Sequence, residues 1–290
     1  MTDASRIDIV APAPDTPHHQ ASAEVVETLF HGLAALGHPT TVRHRDYGDG
    51  TNVLLSTAFA RESLPPAPAR TVVFNLEQFD ERNPWNSEAM RTMLRQHVVW
   101  DYSAKNLARM RAKGFAPIGM HVPIGYVPQL TRIESAPQQD IDVLFYGSMN
   151  ERRDTVLRAL GRRGLKVIHA FNAYGEKRDA LIARAKVVLN VHYYPAKVFE
   201  IVRVSYLLAN RKAVVSELDD ETDLEPDLRD AVAGVRYDDL ADTVEAHVRD
   251  DACRHALEQR GFDAFSARPQ TTFLARALAE LPWFARPEAT

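Results

Sequence analysis

The stretch that decides the fold of this chain is DVLFYGSMNERR, residues 142–153. An apolar run at residues 143–146 leads into Gly147 and Ser148, and a helical pattern follows from Glu151. A buried strand, a short polar turn and a helix in this order are typical of an α/β unit. In open α/β sheets, ligands bind at the edge where the strands end. This stretch therefore predicts both a fold class and the position of a site.

The alternation of strand and helix continues on both sides of this stretch. In the second half, the pattern predicts strands at 142–146, 166–170, 187–191 and 213–216, and helices at 151–163, 176–185 and 198–210. In the first half, it predicts strands at 7–10, 53–55, 71–77, 98–101 and 118–122, and helices at 22–36, 86–97 and 103–114. Such alternation predicts parallel sheets covered by helices. We expect an α/β protein with two Rossmann-like domains that face each other across a cleft.

A polar stretch at residues 131–140 separates the two halves and is interpreted as a linker. It divides the chain into a first domain at residues 1–136 and a second domain at residues 137–290. The tail, residues 239–281, is predicted to be mostly helical. These helices either stay with the second domain or cross back to the first.

Composition excludes several classes of function. The net charge of −4 gives no reason to expect a general affinity for nucleic acid or for an anionic membrane. Cys253 is the single cysteine, so neither an intrachain disulfide nor a cysteine metal cluster can form. The first apolar run is too short for a signal peptide, and no stretch is long enough for stable membrane insertion. A cytoplasmic location is therefore the expectation.

Two arginines at the start of the predicted helix 151–163 point to an anion. Ser148 and Glu151 match a capping box, and Gly147 allows a ligand to approach the backbone closely. Arg152 and Arg153 lie in the first turn, where the helix dipole disfavours cations. A pyrophosphate held by backbone N–H groups and guanidinium groups would account for them. An ordinary capped helix with two solvated arginines is the alternative.

The predicted helix 198–210 carries a polar face. At about 100° per residue, Glu200, Arg203, Tyr206 and Asn210 lie on one side of it. We interpret Glu200 as an acceptor for sugar or ribose hydroxyls and Arg203 as a ligand for phosphate. A surface ion pair between the two is the alternative.

Other polar residues follow the ends of strands in the second half. The remaining candidates for donor binding are Asn150, His192, Tyr193, Lys197, Ser216 and Glu217. An equally good interpretation of His192 is a core histidine whose ring nitrogens form hydrogen bonds within the protein. The acidic run at residues 219–223 predicts a solvated loop. Because no acidic pair follows a strand in a metal-binding pattern and no G-x-G-x-x-G is present, we predict neither a metal nor a dinucleotide cofactor.

Candidate general bases lie in the first domain. His18 and His19 follow the first strand, and Glu77 ends the predicted strand 71–77. A histidine titrates near neutral pH and could take a proton from an acceptor hydroxyl. His19 is the first candidate for the catalytic base and Glu77 the second. Ordinary polar loop residues are the alternative for each.

Residues 142–217 resemble the "group 1" glycosyltransferases of GT-B fold, and most closely the spore-maturation-type branch. The matching motifs are DVLFYGS at 142–148 with Arg152 and Arg153, LNVHYY at 189–194, FEIVR at 199–203 and AVVSE at 213–217. The resemblance implies a donor site in the second domain, an acceptor site in the first, and metal-independent transfer. It implies a nucleotide-sugar co-substrate, with UDP and GDP types both open, and a glycan, peptide or small molecule as acceptor.

The chain departs from the pattern of the wider class at both glutamate positions. Retaining members carry two glutamates eight positions apart; the second of these places is Tyr206 here, and Glu200 lies off the register of the first. Retaining and inverting transfer both stay open for this reason. The predicted function is a glycosyltransferase. The alternatives are a nucleotide-sugar epimerase of the same fold and a non-catalytic sugar-nucleotide-binding protein.

Overall fold

The chain forms two compact units. The computed structural model describes residues 5–16, 20–59, 63–79, 87–194 and 197–284. The first unit comprises Met1–Val127 and Pro269–Thr290, and the second comprises Pro128–Arg268. The second unit thus begins before the boundary expected after residue 136. The residues from 269 onward return to the first unit, which is one of the two arrangements that the sequence left open.

The described residues of the first unit form a six-stranded parallel sheet in the order β2-β1-β3-β4-β5-β6. Its strands are β1 (Ile7–Val10), β2 (Thr40–Arg43), β3 (Thr51–Leu55), β4 (Thr71–Asn75), β5 (Val98–Asp101) and β6 (Gly119–His121). Its helices are α1 (Ala23–Ala35), α2 (Ser56–Phe59), α3 (Glu88–Gln96), α4 (Ala104–Ala112) and the last helix of the chain, α10 (Gln270–Ala279).

Helix α10 is held in the first unit by a buried glutamine. The Gln270 side chain accepts a hydrogen bond from the Gly125 amide and donates one to the Pro123 carbonyl at 3.3 Å. Leu274 packs so closely on Gly32 that a Cβ there would lie 2.8 Å from its side chain. These contacts explain why the C-terminal residues pack with the first unit.

A buried polar network fixes the end of the first sheet. The Asp101 carboxylate accepts hydrogen bonds from the Asn75 and Asn106 side chains, both at 2.7 Å, and from the Ser103 amide at 2.8 Å. The same two amide side chains donate to the backbone carbonyl of Glu77. The network therefore ties β4, β5 and α4 to the loop that carries Glu77. Ser103 also caps α4, because its side chain accepts from the Asn106 amide at 2.9 Å.

The described residues of the second unit form a five-stranded parallel sheet in the order β11-β10-β9-β7-β8. Its strands are β7 (Ile141–Tyr146), β8 (Val167–Ala170), β9 (Ala185–Asn190), β10 (Ala213–Glu217) and β11 (Ala233–Val235). Its helices are α5 (Glu151–Arg162), α6 (Gly175–Arg184), α7 (Ile201–Ala209), α8 (Leu240–Arg249) and α9 (Asp251–Ser266). Across the described residues, no helix combines the length and the hydropathy needed to cross a bilayer. Two parallel sheets with helices confirm the predicted α/β class.

The prediction for helix α7 was wrong at its start, and two residues of its predicted polar face are buried. The helix begins at Ile201 rather than 198, because the preceding residues pair with another loop: the Phe199 amide donates to the Asp223 carbonyl. Tyr206 and Asn210 are buried, with exposed fractions of 1% and 3%. The Tyr206 hydroxyl donates to Asp179 at 2.8 Å. Tyr206 stands where the wider class carries its second glutamate, and here it contributes to the packing of the second unit.

Strands β2 and β11 were not predicted from the sequence. Strand β2, TTVR, is half-buried, and β11, AGV, is short and contains a glycine. Neither forms an apolar run, and both lie at sheet edges. Pairing with a neighbouring strand, rather than local propensity, makes them strands.

Candidate donor site at the end of strand β7

The site is built around Gly147, which directly follows β7. Its φ of +129° lies in the region that favours glycine. A Cβ at this position would lie 3.0 Å from Nη1 of Arg203 and 4.0 Å from Nη1 of Arg153. Glycine thus leaves room for two guanidinium groups beside the backbone at the end of the strand.

Arg153 reaches this point from the first turn of α5. Asn150, not Ser148, is the N-cap of that helix, because its side chain accepts from the Arg153 amide at 2.9 Å. The predicted capping box of Ser148 and Glu151 was therefore wrong. Arg153 is 4% exposed, and its side chain donates to the carbonyls of Val191 and Ser148. The backbone thus fixes the direction of this guanidinium group.

Arg203 reaches the same point from α7. It donates at 2.6 Å to the Tyr146 carbonyl and at 2.6 Å to Oδ1 of Asn190. Its Nε–H is buried and has no hydrogen-bond partner among the described residues. Burial and the neighbouring charge of Arg203 lower the pKa of Arg153 to about 10. The two arginines therefore repel each other in a buried corner.

Glu200 is the acidic group of the site, at the N-cap position of α7. Its carboxylate accepts from Nδ2 of Asn190 at 2.9 Å and faces Nδ1 of His192 at 3.0 Å. Its Oε1 lies 3.9 Å from Arg153. Burial alone would raise the pKa of Glu200, but the hydrogen bond and charge of His192, together with Arg203, lower it to about 2. The carboxylate is therefore ionised at neutral pH.

This shift gives a prediction for stability against pH. The pKa of Glu200 is lower in the folded protein than its ordinary value of 4.5. Its contribution to folding is complete above about pH 4.5 and is lost as the pH falls towards 2. We expect Glu200→Gln to cost the second unit on the order of 2 kcal/mol at pH 7 and much less at pH 3.

Urea unfolding followed by circular dichroism and by hydrogen exchange in the second unit measures this difference. Glu151→Gln, which alters an exposed side chain at the start of α5, is the matched control. If Glu200→Gln lowers the free energy of unfolding equally at pH 7 and at pH 3, the pKa of Glu200 is not lowered in the folded protein.

His192 lies inside the site and is only 3% exposed. Its Nδ1 faces Glu200, its Nε2 lies 3.3 Å from Oγ1 of Thr222, and its amide donates to Glu217 at 3.2 Å. Thr222 itself is buried. The prediction that residues 219–223 form a solvated loop was therefore wrong for this residue, because a histidine far away in sequence packs on it.

Glu217 and Arg152 form an ion pair at the end of β10. Both oxygens of the Glu217 carboxylate accept from Arg152, whose guanidinium lies 3.9 Å from the centre of the Tyr237 ring. Glu217 is 2% exposed. Its neighbour Ser216 accepts from Asn190 at 3.0 Å. Arg152 thus has a carboxylate partner of its own, whereas Arg153 and Arg203 share the single carboxylate of Glu200.

The remaining donor candidates lie around this core. Lys197 pairs with Asp219 and Glu221. Tyr193 is 39% exposed, and the Arg153 guanidinium lies 5.0 Å from the centre of its ring. Ser148 is exposed and offers its backbone carbonyl to Arg153. The structure therefore brings together most of the predicted site, while Lys197 is engaged by acidic side chains.

The two predicted bases belong to the first unit. Glu77 is half-buried in the loop after β4, and its amide donates to Oδ1 of Asn75 at 3.3 Å. His18 and His19 lie outside the described residues. Within the part of the chain that the structure describes, no group of three His, Cys, Asp or Glu side chains could hold a metal ion. Metal-independent transfer stays a prediction.

No family model matches this chain. An aligned segment of 158 residues is 26% identical in sequence to the uncharacterized protein L140 of Acanthamoeba polyphaga mimivirus. This segment covers 52% of this chain and 50% of that protein. A segment of 107 residues is 32% identical to the uncharacterized protein L138 of the same virus, over 35% of this chain and 12% of that protein. The chain spans about half the length, or less, of the curated relatives it matches.

Solved structures resemble almost the whole chain. The sucrose-phosphate synthase of Thermosynechococcus elongatus matches with a TM-score of 0.62 and 11% identity, over 95% of this chain and 98% of that one. Anabaena HepE in complex with UDP-glucose matches with a TM-score of 0.59 and 12% identity, over 95% of this chain and 100% of that one. The DNA-modifying β-glucosyltransferase matches with a TM-score of 0.60 and 13% identity, over 94% of this chain and 98% of that one.

These likenesses confirm the predicted fold. The chain has the GT-B fold of glycosyltransferases, with two parallel α/β sheets. At such low identity the likeness extends to the fold alone. Membership of the spore-maturation-type branch stays a prediction.

Proposed function

We propose that this protein is a glycosyltransferase whose nucleotide-sugar donor places its diphosphate at the corner formed by Gly147, Arg153 and Arg203. The observation that carries the proposal is the pair of guanidinium groups that converge beside Gly147. Arg153 is buried and Arg203 is half-buried, and their two like charges are balanced only in part by the single carboxylate of Glu200. A diphosphate supplies the remaining negative charge.

The charges around the corner favour an anion. Arg153 and Arg203 carry two positive charges, and Glu200 is the carboxylate that lies next to them. The unpartnered Nε–H of Arg203 is a buried donor, and a phosphate oxygen would satisfy it. The N-terminus of α5 adds the positive end of its helix dipole. These groups would stabilise the leaving diphosphate without a divalent cation.

Glu200 is proposed to accept hydrogen bonds from hydroxyl groups of the donor. Its Oε2 accepts from Asn190, and its Oε1 lies 3.2 Å from Nδ1 of His192 and 3.9 Å from Arg153. An ionised carboxylate is a strong acceptor for a sugar or ribose hydroxyl. Support for a uridine nucleotide as the first donor to test comes from HepE, whose solved structures hold UDP and UDP-glucose. The acceptor is a glycan, a peptide or a small molecule.

The test is the affinity of the protein for nucleoside diphosphates. We expect UDP or GDP to bind to the wild type, and we expect Arg203→Ala to raise the dissociation constant about 10- to 150-fold. That range corresponds to the roughly 1.5–3 kcal/mol of a hydrogen bond to a charged group. The free nucleoside should bind to both proteins almost equally, because it lacks the phosphates. Isothermal titration calorimetry measures each affinity.

Arg163→Ala is the matched control for this substitution. Arg163 is a half-buried arginine of the same unit that pairs with Asp242 and Glu245, away from Gly147. Its removal should leave the affinity for nucleoside diphosphates unchanged. Equal losses for nucleoside and nucleoside diphosphate in Arg203→Ala would remove Arg203 from the phosphate site. Failure of the wild type to bind any nucleoside diphosphate would overturn the proposed function.

A further inference from the structure

Exposed aromatic side chains stand on both sides of Gly147. Among the described residues, the large apolar side chains that are clearly exposed are Ile118, Phe171 and Tyr193. Two of these three are aromatic residues of the second unit. Phe171 follows β8 and Tyr193 follows β9, and these are the two strands that flank β7. Exposed apolar surface that collects at one edge of a sheet marks a binding surface more strongly than scattered single residues do.

The register of the sheet places Phe171 beside Gly147. Tyr146 pairs with Ala170, and the Gly147 amide donates to the Ala170 carbonyl at 3.1 Å, so the ladder reaches Phe171. Adjacent strands lie about 4.8 Å apart. The Phe171 backbone is therefore about one strand spacing from the glycine of the candidate diphosphate site.

Strand alternation also sets the face of the sheet on which Phe171 lies. His169 pairs with Phe145, and their rings are 5.7 Å apart. Phe171 comes two residues after His169, so it is directed to the same face. The Arg153 guanidinium lies 5.2 Å from the Phe145 ring, whereas that of Arg203 lies 5.9 Å from the Phe145 ring and 5.7 Å from the Tyr146 ring. The exposed aromatic ring and the Arg153 cation thus share one face of the sheet, and Arg203 lies at the end of β7 between the two faces.

We propose that Phe171 is the stacking surface for the nucleobase of the donor. This inference rests on the proposed function, since it assumes a nucleotide whose diphosphate lies at Gly147. Tyr193 is less suited to this role, because its ring already contacts the Arg153 guanidinium at 5.0 Å and the Tyr194 ring at 4.8 Å. Phe171 is 62% exposed, and a planar base could cover its apolar surface.

The chemistry of stacking defines what Phe171 can recognise. Every base has a π-face, so stacking on phenylalanine adds affinity without hydrogen-bond readout of the base. Phe171 should therefore strengthen the binding of purine and pyrimidine nucleotides alike. Any preference for one base must come from polar groups elsewhere in the site.

The experiment compares nucleotides with inorganic pyrophosphate as a probe that has no base. We expect Phe171→Ala to raise the dissociation constants of UDP and GDP about 5- to 150-fold, as the loss of one base–aromatic stack predicts. The affinity for pyrophosphate should not change. Phe171→Trp should restore nucleotide binding, and Phe171→Leu should restore it only in part, because leucine is apolar but has no ring. Ile118→Ala, which removes an exposed apolar side chain of the first unit, is the matched control.

The possible results separate this inference from the proposed function. If the wild type binds nucleoside diphosphates and Phe171→Ala binds them equally well, the stacking role is wrong while the donor site stands. A parallel loss of pyrophosphate affinity would show that the substitution disturbs the phosphate corner, which also overturns the stacking role. If the wild type binds no nucleotide, both the function and this inference fail.

Discussion

Asp101→Ala is expected to lower the free energy of unfolding of the first unit by about 3–5 kcal/mol. The Asp101 carboxylate is fully buried and accepts from Asn75, Asn106 and the Ser103 amide. Alanine would leave these three donors without their acceptor. Each buried donor that loses its partner costs about 1–3 kcal/mol. The loop after β4 would lose its support at the same time, because Asn75 and Asn106 also hold the Glu77 carbonyl.

Tryptophan fluorescence in urea isolates this effect. All three tryptophans of the chain fall within the bounds of the first unit, so their emission reports on the unfolding of that unit. Asp15→Ala is the matched control, because Asp15 is an exposed aspartate of the same unit that pairs with Arg45. Because solvent screens exposed pairs of this kind, Asp15→Ala should change the free energy of unfolding far less than Asp101→Ala. A loss below 1 kcal/mol for Asp101→Ala would contradict the role assigned to the network.

Glu77→Gln is expected to lower sugar transfer by about 10²–10⁴-fold while the affinity for the donor stays unchanged. Glu77 is the second candidate for the general base after His19, and it lies within the described residues. Its loop follows β4 at the carboxyl edge of the first sheet, and the Asn75–Asp101–Asn106 network fixes its backbone. A fixed backbone limits the positions that the carboxylate can take, and a base acts only from a defined position. Glutamine keeps the size of the side chain and removes its ability to take a proton.

The rate of nucleoside diphosphate release from the donor, with water or an identified acceptor as the nucleophile, measures this step. Glu88→Gln is the control, because Glu88 is an exposed glutamate of the same unit that pairs with Arg95. It should retain the full rate. If Glu77→Gln also retains the full rate and His19→Ala loses it, the base is His19 and the assignment to Glu77 is wrong. Full activity of both variants would mean that neither residue is the base.

The class of fold could be predicted from local sequence. Short apolar runs such as residues 143–146, bounded by turn residues, predict buried strands because the burial of apolar side chains is favourable. Ser87 and Ser103 cap helices, and each accepts from an amide three residues ahead. These features depend on residues close together in the chain. Half-buried or short edge strands such as β2 do not show a local pattern, and they could not be predicted.

The candidate residues at the site could also be named from the sequence, because polar side chains that follow parallel strands meet at one edge. The hydrogen-bond and ion-pair partners of these residues could not be predicted from the sequence. Arg203 bonds to a carbonyl 57 positions away, and Arg153 to one 38 positions away. Tertiary packing alone decides that Arg152 is neutralised by Glu217, whereas Arg153 and Arg203 are left side by side. The charge available to a ligand depends on these distances in space, and the order of residues along the chain does not contain them.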